Sequence, residues 1–248
     1  MNKPLLPAAL AALALAGTAF AAPAAEEAEP KIPTPDTPIL MIGDSMMKIL
    51  GHEMEKAFKK ADVQPAVAFS SLGSGLVRPS AFDWTAKIEE LIATNHPKTV
   101  FVALGTNDRQ AIEMNGGSVV KYEDADLWRA TYSKCIGGVM DQLIKGGVTR
   151  VVWMLLPAMQ KPVDQEHCQL VNAIVREQAA DETRKDFVTL LDLGTILAPP
   201  KNPGKFTRYI MSPNMESLTV RDPDGVHLTR AGGKLVAQAV LKKYWNKK

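Results

Sequence analysis

Short apolar runs alternate with amphipathic stretches from residue 39 almost to the end of this 248-residue chain, and that alternation limits the fold more than any single residue does. Ile39-Leu40-Met41-Ile42 is apolar throughout and ends in Gly43, the pattern of a buried strand. Helical spacing follows over 45–61, where Leu50, Met54 and Phe58 fall on one stripe. A second strand is predicted over 67–69, and a helix around Trp84, Ile88, Leu91 and Ile92. Strands over 99–104 and 150–156 bracket a helix over 127–144. Leu170, Val171, Ile174 and Val175 mark a fourth helix, 187–193 a fifth strand, and 229–245 a last helix. Strands alternating with helices build a parallel sheet covered on both faces. The expectation is one α/β domain, with no internal repeat or second composition block to divide it.

The ends read differently. Lys3, an apolar run over 5–17 and Ala19-Phe20-Ala21 together have the form of a secretory leader and its cleavage site, expected over 1–21. The run is short for a membrane span and has no stop-transfer flank. No Cys near the cleavage site offers a lipid anchor, so stable membrane insertion is not expected. Residues 22–38, rich in Ala, Glu and Pro, read as a flexible tether, which leaves 39–248 as the folded domain of a periplasmic or extracellular protein. Export bears on Cys135 and Cys168, which fall near the starts of two successive predicted helices. An oxidising compartment permits a disulfide between them, and two buried free thiols fit equally well.

Composition narrows the function. A hydrophobic share of 46% supports an ordinary core, and a formal net charge of +2 gives no argument for nucleic acid. Lys242, Lys243, Lys247 and Lys248 read as a solvated helix tail. Zinc spacing, a phosphate loop and a dinucleotide fingerprint are all missing, so no metal and no cofactor is expected.

The candidate chemistry lies in loops that leave the strands, where open α/β sheets place their sites. Gly43-Asp44-Ser45 puts a Ser at a helix N-terminus, where it reads as an N-cap or as a nucleophile beside a favourable dipole. Ser74-Gly75 follows strand two and reads as a turn or as a close backbone approach. Gly105-Thr106-Asn107-Asp108 follows strand three; its Asn reads as an Asx-turn or as a donor to developing negative charge. Asp224-Gly225-Val226-His227 precedes the last helix and delivers a base and its orienting carboxylate from one short loop. His52, His96 and His167 fit such a role less well and read as structural or surface residues.

Taken together and in this order, GDS, SG, GTND and DGVH resemble the four blocks of the SGNH (GDSL-type) hydrolases, over nearly the whole predicted domain. The resemblance implies a flavodoxin-like three-layer α/β/α fold on a five-stranded parallel sheet, and metal-free ester hydrolysis. By the family's motifs, Ser45 is the nucleophile and Asp224 and His227 complete its triad. The N–H groups of Ser45 and Gly75 and the amide of Asn107 form the oxyanion hole, with Gly73 a weaker alternative to Gly75. Ser74 to Pro79 (SGLVRP), Phe82-Asp83-Trp84 and Gly105 to Gln110 (GTNDRQ) are similar to an exported bacterial branch known only as a domain of unknown function. Arg78, Asp83 and Arg109 belong to these runs and are expected either to shape a substrate pocket or to pair ionically and hold the loops. The second Gly of the G-x-S-x-G elbow is replaced by Met47, which argues against the larger α/β-hydrolase fold.

The implied activity is that of a secreted serine esterase acting on short-chain, acetyl-type esters of a cell-wall or extracellular glycan. A glycan O-acetyltransferase with the same triad, or a non-catalytic glycan binder, are the alternatives. The implied partner is a small-molecule or glycan ester, with oligomeric state open. The long stretch 198–223, with Phe206 and Tyr209, is expected to line a polar groove or to be an ordinary surface loop.

Overall fold

The structure, a computed structural model, describes residues 38–63, 66–199, 202, 204–212 and 214–246. The leader expected over 1–21, and the tether apart from Pro38, lie outside the described residues. β1 (Ile39–Gly43) leads into α1 (Ser45–Lys60), β2 (Ala66–Ser70) into α2 (Trp84–Asn95), and β3 (Thr99–Ala103) into a small hairpin of β4 (Ile112–Glu113) and β5 (Val119–Val120). α3 (Ala125–Lys145), β6 (Arg150–Leu155), α4 (Pro162–Ala179), β7 (Val188–Asp192) and the one-turn α5 (Leu193–Ile196) follow. A second hairpin, β8 (Tyr209–Met211) and β9 (Ser217–Thr219), precedes α6 (Arg230–Trp245).

The main sheet has the order β2-β1-β3-β6-β7, and every neighbouring pair is parallel. This is the flavodoxin-like order, whose strand succession reverses between β1 and β3. The loops leaving those two strands diverge there and open a crevice. β1 and β3 are buried along their whole length, which is why both read as unbroken apolar runs.

Alternation along each strand splits the core into two layers. Leu40, Ile42, Val100, Val102, Val151 and Trp153 pack beneath α2, α3 and α4. Met41, Phe101, Ala103, Val152 and Met154 face the other way, onto α1 and α6. Leu50, Met54 and Phe58 supply the α1 side of that second layer, and Val236, Val240 and Tyr244 the α6 side. Each fully buried aliphatic chain contributes roughly 1.5–3 kcal/mol by leaving water.

The sheet and its major helices fall where the periodicity predicts them. α5 and both hairpins escaped it. These elements are two to four residues long, too short to show a period, and β8 and β9 are mostly exposed. Among the described residues no helix is long and apolar enough to cross a membrane, and no group of three His, Cys, Asp or Glu is placed to hold a metal ion. Cys135 sits in the middle of α3 rather than near its start, because the helix begins at Ala125; Cys168 lies in the second turn of α4. Both thiols are free. Burial pushes them up, Cys135 to about 11 and Cys168 to about 12, so both remain protonated and unreactive.

Candidate active site

The first turn of α1 removes the N-cap reading of Ser45. The N-cap is Asp44, whose Oδ1 accepts from Met46 N at 2.9 Å, and Ser45 is the first helical residue. Its own N–H belongs to the unpaired first turn and makes no hydrogen bond to any described residue. Asp44 is fully buried; burial raises its carboxyl above the usual range, opposed by the bonds it accepts. Its Oδ2 takes the Thr106 hydroxyl at 2.5 Å and the Thr106 N–H at 3.3 Å. One carboxylate thus caps α1 and ties it to the loop after β3.

Asp108, also fully buried, ties that same loop to the one after β2. Its Oδ2 accepts from Tyr132 OH at 2.6 Å and its Oδ1 from Val77 N at 3.4 Å. Burial pushes it up to about 6, opposed by the bonds from Tyr132, Leu76 and Val77 and assisted by the charge on Asp44. Gly75 lies directly against this carboxylate: a Cβ there would stand 1.8 Å from Asp108 Oδ1, so only glycine fits. Gly73 instead has a left-handed backbone at φ +69° and open space around it, the signature of a turn. Asn107 reaches the same loop, donating from Nδ2 to Ser74 O at 2.8 Å and keeping its second amide proton. The Gly75 N–H has no hydrogen-bond partner among the described residues.

The third component comes from a hairpin turn outside the sheet, closed by a bridge between Arg221 and Leu228. Asp224 Oδ1 accepts from the N–H of Val226 at 2.8 Å and of His227 at 2.9 Å. Its Oδ2 meets His227 Nδ1 at 2.6 Å, and His227 Nε2 meets Ser45 Oγ at 2.8 Å. Burial alone would raise Asp224, but the imidazole N–H and the two backbone N–H groups hold it down at about 2. A carboxylate ionised at neutral pH can only accept, so Nδ1 carries the ring proton and Nε2 is left to accept from the Ser45 hydroxyl.

Ser45, Asn107, Arg109, Asp224 and His227 line one cavity of about 240 Å³, together with Thr106, Met159, Asp164, His167, Cys168 and Val226. Gly75 and Asp83 line a separate groove of about 570 Å³ between α2 and α3. Asp83 is the N-cap of α2, accepting from Ala86 N at 3.1 Å. Arg78 pairs with Glu113 at 3.5 Å on the surface. Of the three residues considered for a substrate pocket, only Arg109 therefore borders the Ser45 cavity, its guanidinium 5.8 Å from the Tyr122 ring centre. Stretch 198–223 contributes no wall to that cavity among the described residues.

The fold brings further polar residues to this cavity and its surroundings. His167, read as structural or surface, is buried and holds structure, with Nε2 2.9 Å from Gly105 O and Nδ1 3.3 Å from Tyr122 OH; burial lowers its pKa. Asp164 enters the cavity from the first turn of α4 with no hydrogen bond to its carboxylate among the described residues. Arg221, 1% exposed, sits beneath the Asp224–His227 turn. No local sequence pattern marks this Arg as buried. His52 is exposed beside Glu53, and His96 caps α2 in a left-handed conformation.

A flavodoxin-like sheet with a Ser after β1, an Asn after β3 and an Asp-x-x-His turn before the last helix defines the SGNH hydrolase fold. The family described as "Protein of unknown function (DUF459)" matches residues 38–243, and the chain belongs to it. Among solved structures it is similar to LAE5, an alpha/beta hydrolase enzyme from the metagenome of Lake Arreo, Spain, at 14% identity over 85% of this chain and 96% of that one, with a TM-score of 0.55. A member of the lipolytic protein G-D-S-L family from Veillonella parvula DSM 2008 is similar at 16% identity over 85% and 99%, with a TM-score of 0.55. BT4096, a gut microbial diltiazem-metabolizing enzyme, gives 16% identity and a TM-score of 0.59 over 87% of this chain, which spans about half (48%) of that one. At these identities the likeness is one of fold. A comparison with curated proteins finds no match.

Proposed function

We propose that this chain is an exported serine esterase that hydrolyses short-chain, acetyl-type esters carried by a cell-wall or extracellular glycan. The observation that carries the reading is the continuous relay from Asp224 Oδ2 through the imidazole to Ser45 Oγ, with contacts of 2.6 and 2.8 Å. In the first half-reaction the Ser45 proton moves to His227 Nε2 as Oγ bonds the ester carbonyl carbon. Negative charge on the carbonyl oxygen is met by the unpaired N–H of Ser45 and the free amide proton of Asn107, with Gly75 N–H as the third donor. The alcohol leaves with the proton from Nε2. Water then repeats the sequence on the acyl-Ser45 ester and releases the acid. Asp224 stays ionised throughout and stabilises the imidazolium.

A cavity of about 240 Å³ suits a small acyl group. Arg109 and Asp164 on its wall suit an alcohol rich in hydroxyl groups. The leader read over 1–21 supports export, and the tether over 22–38 supports a domain that begins near residue 39.

The test is hydrolysis of p-nitrophenyl acetate, butyrate and octanoate by wild type and Ser45→Ala. Expected is turnover of the acetate above the longer esters, reduced on the order of 10⁶-fold in Ser45→Ala. Faster turnover of octanoate overturns the short-acyl reading. Equal rates in wild type and variant overturn the serine mechanism. Acetyl transfer to an added oligosaccharide, faster than acetate release, would make the enzyme a transferase.

A further inference from the structure

Ser45 and His227 reach each other from supports of unequal stiffness. Ser45 opens a helix packed on the sheet. His227 hangs on a turn that belongs to neither sheet nor helix, so its 2.8 Å contact with Ser45 depends on what holds the turn.

Within the turn, Asp222 N donates to His227 O at 2.9 Å and Gly225 N to Asp222 O at 3.1 Å. Those bonds shape it without fixing it to the body of the protein. One backbone bond reaches out of it, from Gln160 N in the loop between β6 and α4 to Gly225 O at 3.2 Å, and Arg221 supplies the side-chain fixing. Its Nη1 donates to Ala158 O at 2.6 Å, and its Nη2 lies 3.2 Å from Gly225 O and 2.9 Å from Val226 O. Ala158 belongs to the loop between β6 and α4, whose next residue, Met159, walls the cavity. That loop is itself pinned, for Asn172 on α4 exchanges two 2.8 Å bonds with the backbone of Leu156. The guanidinium thus bridges the anchored cavity wall to the carbonyl immediately before His227. Gly225 seals the contact: its φ of +75° and a Cβ position 2.4 Å from Gln160 Cβ exclude other residues.

Burying a full positive charge is costly unless it is paired. Arg221 is 1% exposed, and among the described residues it has no carboxylate partner. Backbone carbonyls meet it instead, with its face 5.0 Å from the Phe206 ring centre and its Nε unbonded. A fork of fixed N–H donors can address carbonyls of two loops at once, which an ammonium on a flexible stem does poorly.

We propose that Arg221 is the positioning residue of the active site: by holding the Ala158, Gly225 and Val226 carbonyls together, it sets the height of the Asp224–His227 turn over Ser45. The inference rests on the esterase reading for its kinetic consequence, but the clamp itself can be read without turnover.

The experiment compares wild type, Arg221→Met and Arg221→Lys on p-nitrophenyl acetate, with amide hydrogen exchange on the same proteins. Misplacing the base without removing it should lower kcat about 10²-fold in Arg221→Met. KM should stay within about threefold, since no contact with substrate is lost. Arg221→Lys, which keeps the charge, should recover about tenfold of the loss. The Val226 and His227 amides should exchange about tenfold faster in Arg221→Lys while those of α6 are unchanged. A Met variant with kcat within about threefold of wild type overturns the proposal. Should Arg221→Met not fold, Arg221→Lys decides: wild-type kcat together with wild-type exchange overturns it. If Ser45→Ala proves as active as wild type, the esterase reading fails while the exchange data still test the clamp.

Discussion

Three carboxylates stand in the loops around Ser45, and two regions of the molecule treat them in opposite ways. Between β1 and β3, Asp44 and Asp108 are fully buried, and burial raises both, Asp108 to about 6. In the turn before α6, Asp224 has a half-exposed side chain and is held at about 2. The two buried groups direct their oxygens at N–H and O–H donors from the loops after β2 and β3 and from α1 and α3, so their work is to fix backbone. Asp224 accepts two N–H bonds from its own turn and aims its remaining oxygen at an imidazole, so in the proposed mechanism its work is to keep a negative charge where His227 becomes positive. On the proposed mechanism the same residue type thus serves as scaffold in one region and as charge in the other, and the pKa shifts run in opposite directions.

The sharpest way to break this contrast is to remove charge where charge is claimed to matter. Asp224→Asn should lower kcat on the order of 10⁴-fold, because an amide that donates to Nδ1 turns the imidazole the wrong way round. Thermal unfolding should hardly move, since an exposed pair contributes little to stability. A variant that loses melting temperature in step with activity would put Asp224 among the scaffold carboxylates instead. Asn107→Ala tests the boundary between the regions, since Asn107 both bonds Ser74 O and is proposed to donate to the oxyanion. It should cost roughly 10²–10³-fold in kcat at nearly unchanged KM. An Asn107→Ala protein as active as wild type would leave the residue as loop support alone.

How much of this was legible in the sequence follows the same division. Ser45 and Asn107 sit in short polar motifs at strand ends, Asp224 and His227 in one before the last helix, and one Ser–His–Asp chain of contacts joins three of the four. The sheet was equally plain, since β1, β3 and β6 are buried apolar runs. What could not be read is partnership between distant residues. Asp108 was visible as a letter of GTND, but nothing local says that Tyr132, 24 residues on, would donate to it. Arg78, Asp83 and Arg109 look alike in sequence, yet ion pairing takes the first, helix capping the second, and only the third borders the cavity. His167 read as a structural or surface residue and Arg221 carried no reading at all, because burial of a polar side chain is a property of the fold.

The smallest expected effect is also the one that isolates the scaffold side of the comparison. Asp108 has a folded pKa of about 6 against an ordinary 3.8, so between those values the folded protein holds a proton that the unfolded chain has released. Stability from this group is therefore fully present below pH 3.8 and is lost as pH rises through about 6. Asp224, held at about 2, and Asp141, lowered by Arg184, act with the opposite sign and lose their contribution only in acid. The net curve of wild type mixes these terms, so the informative quantity is the difference between wild type and Asp108→Asn. Thermal unfolding of both from about pH 4 to about pH 8 should show wild type with its greatest advantage at the acid end, shrinking as Asp108 ionises, by a few degrees in all. Parallel curves would mean that Asp108 does not titrate in this window, and would remove the physical basis for setting it apart from Asp224.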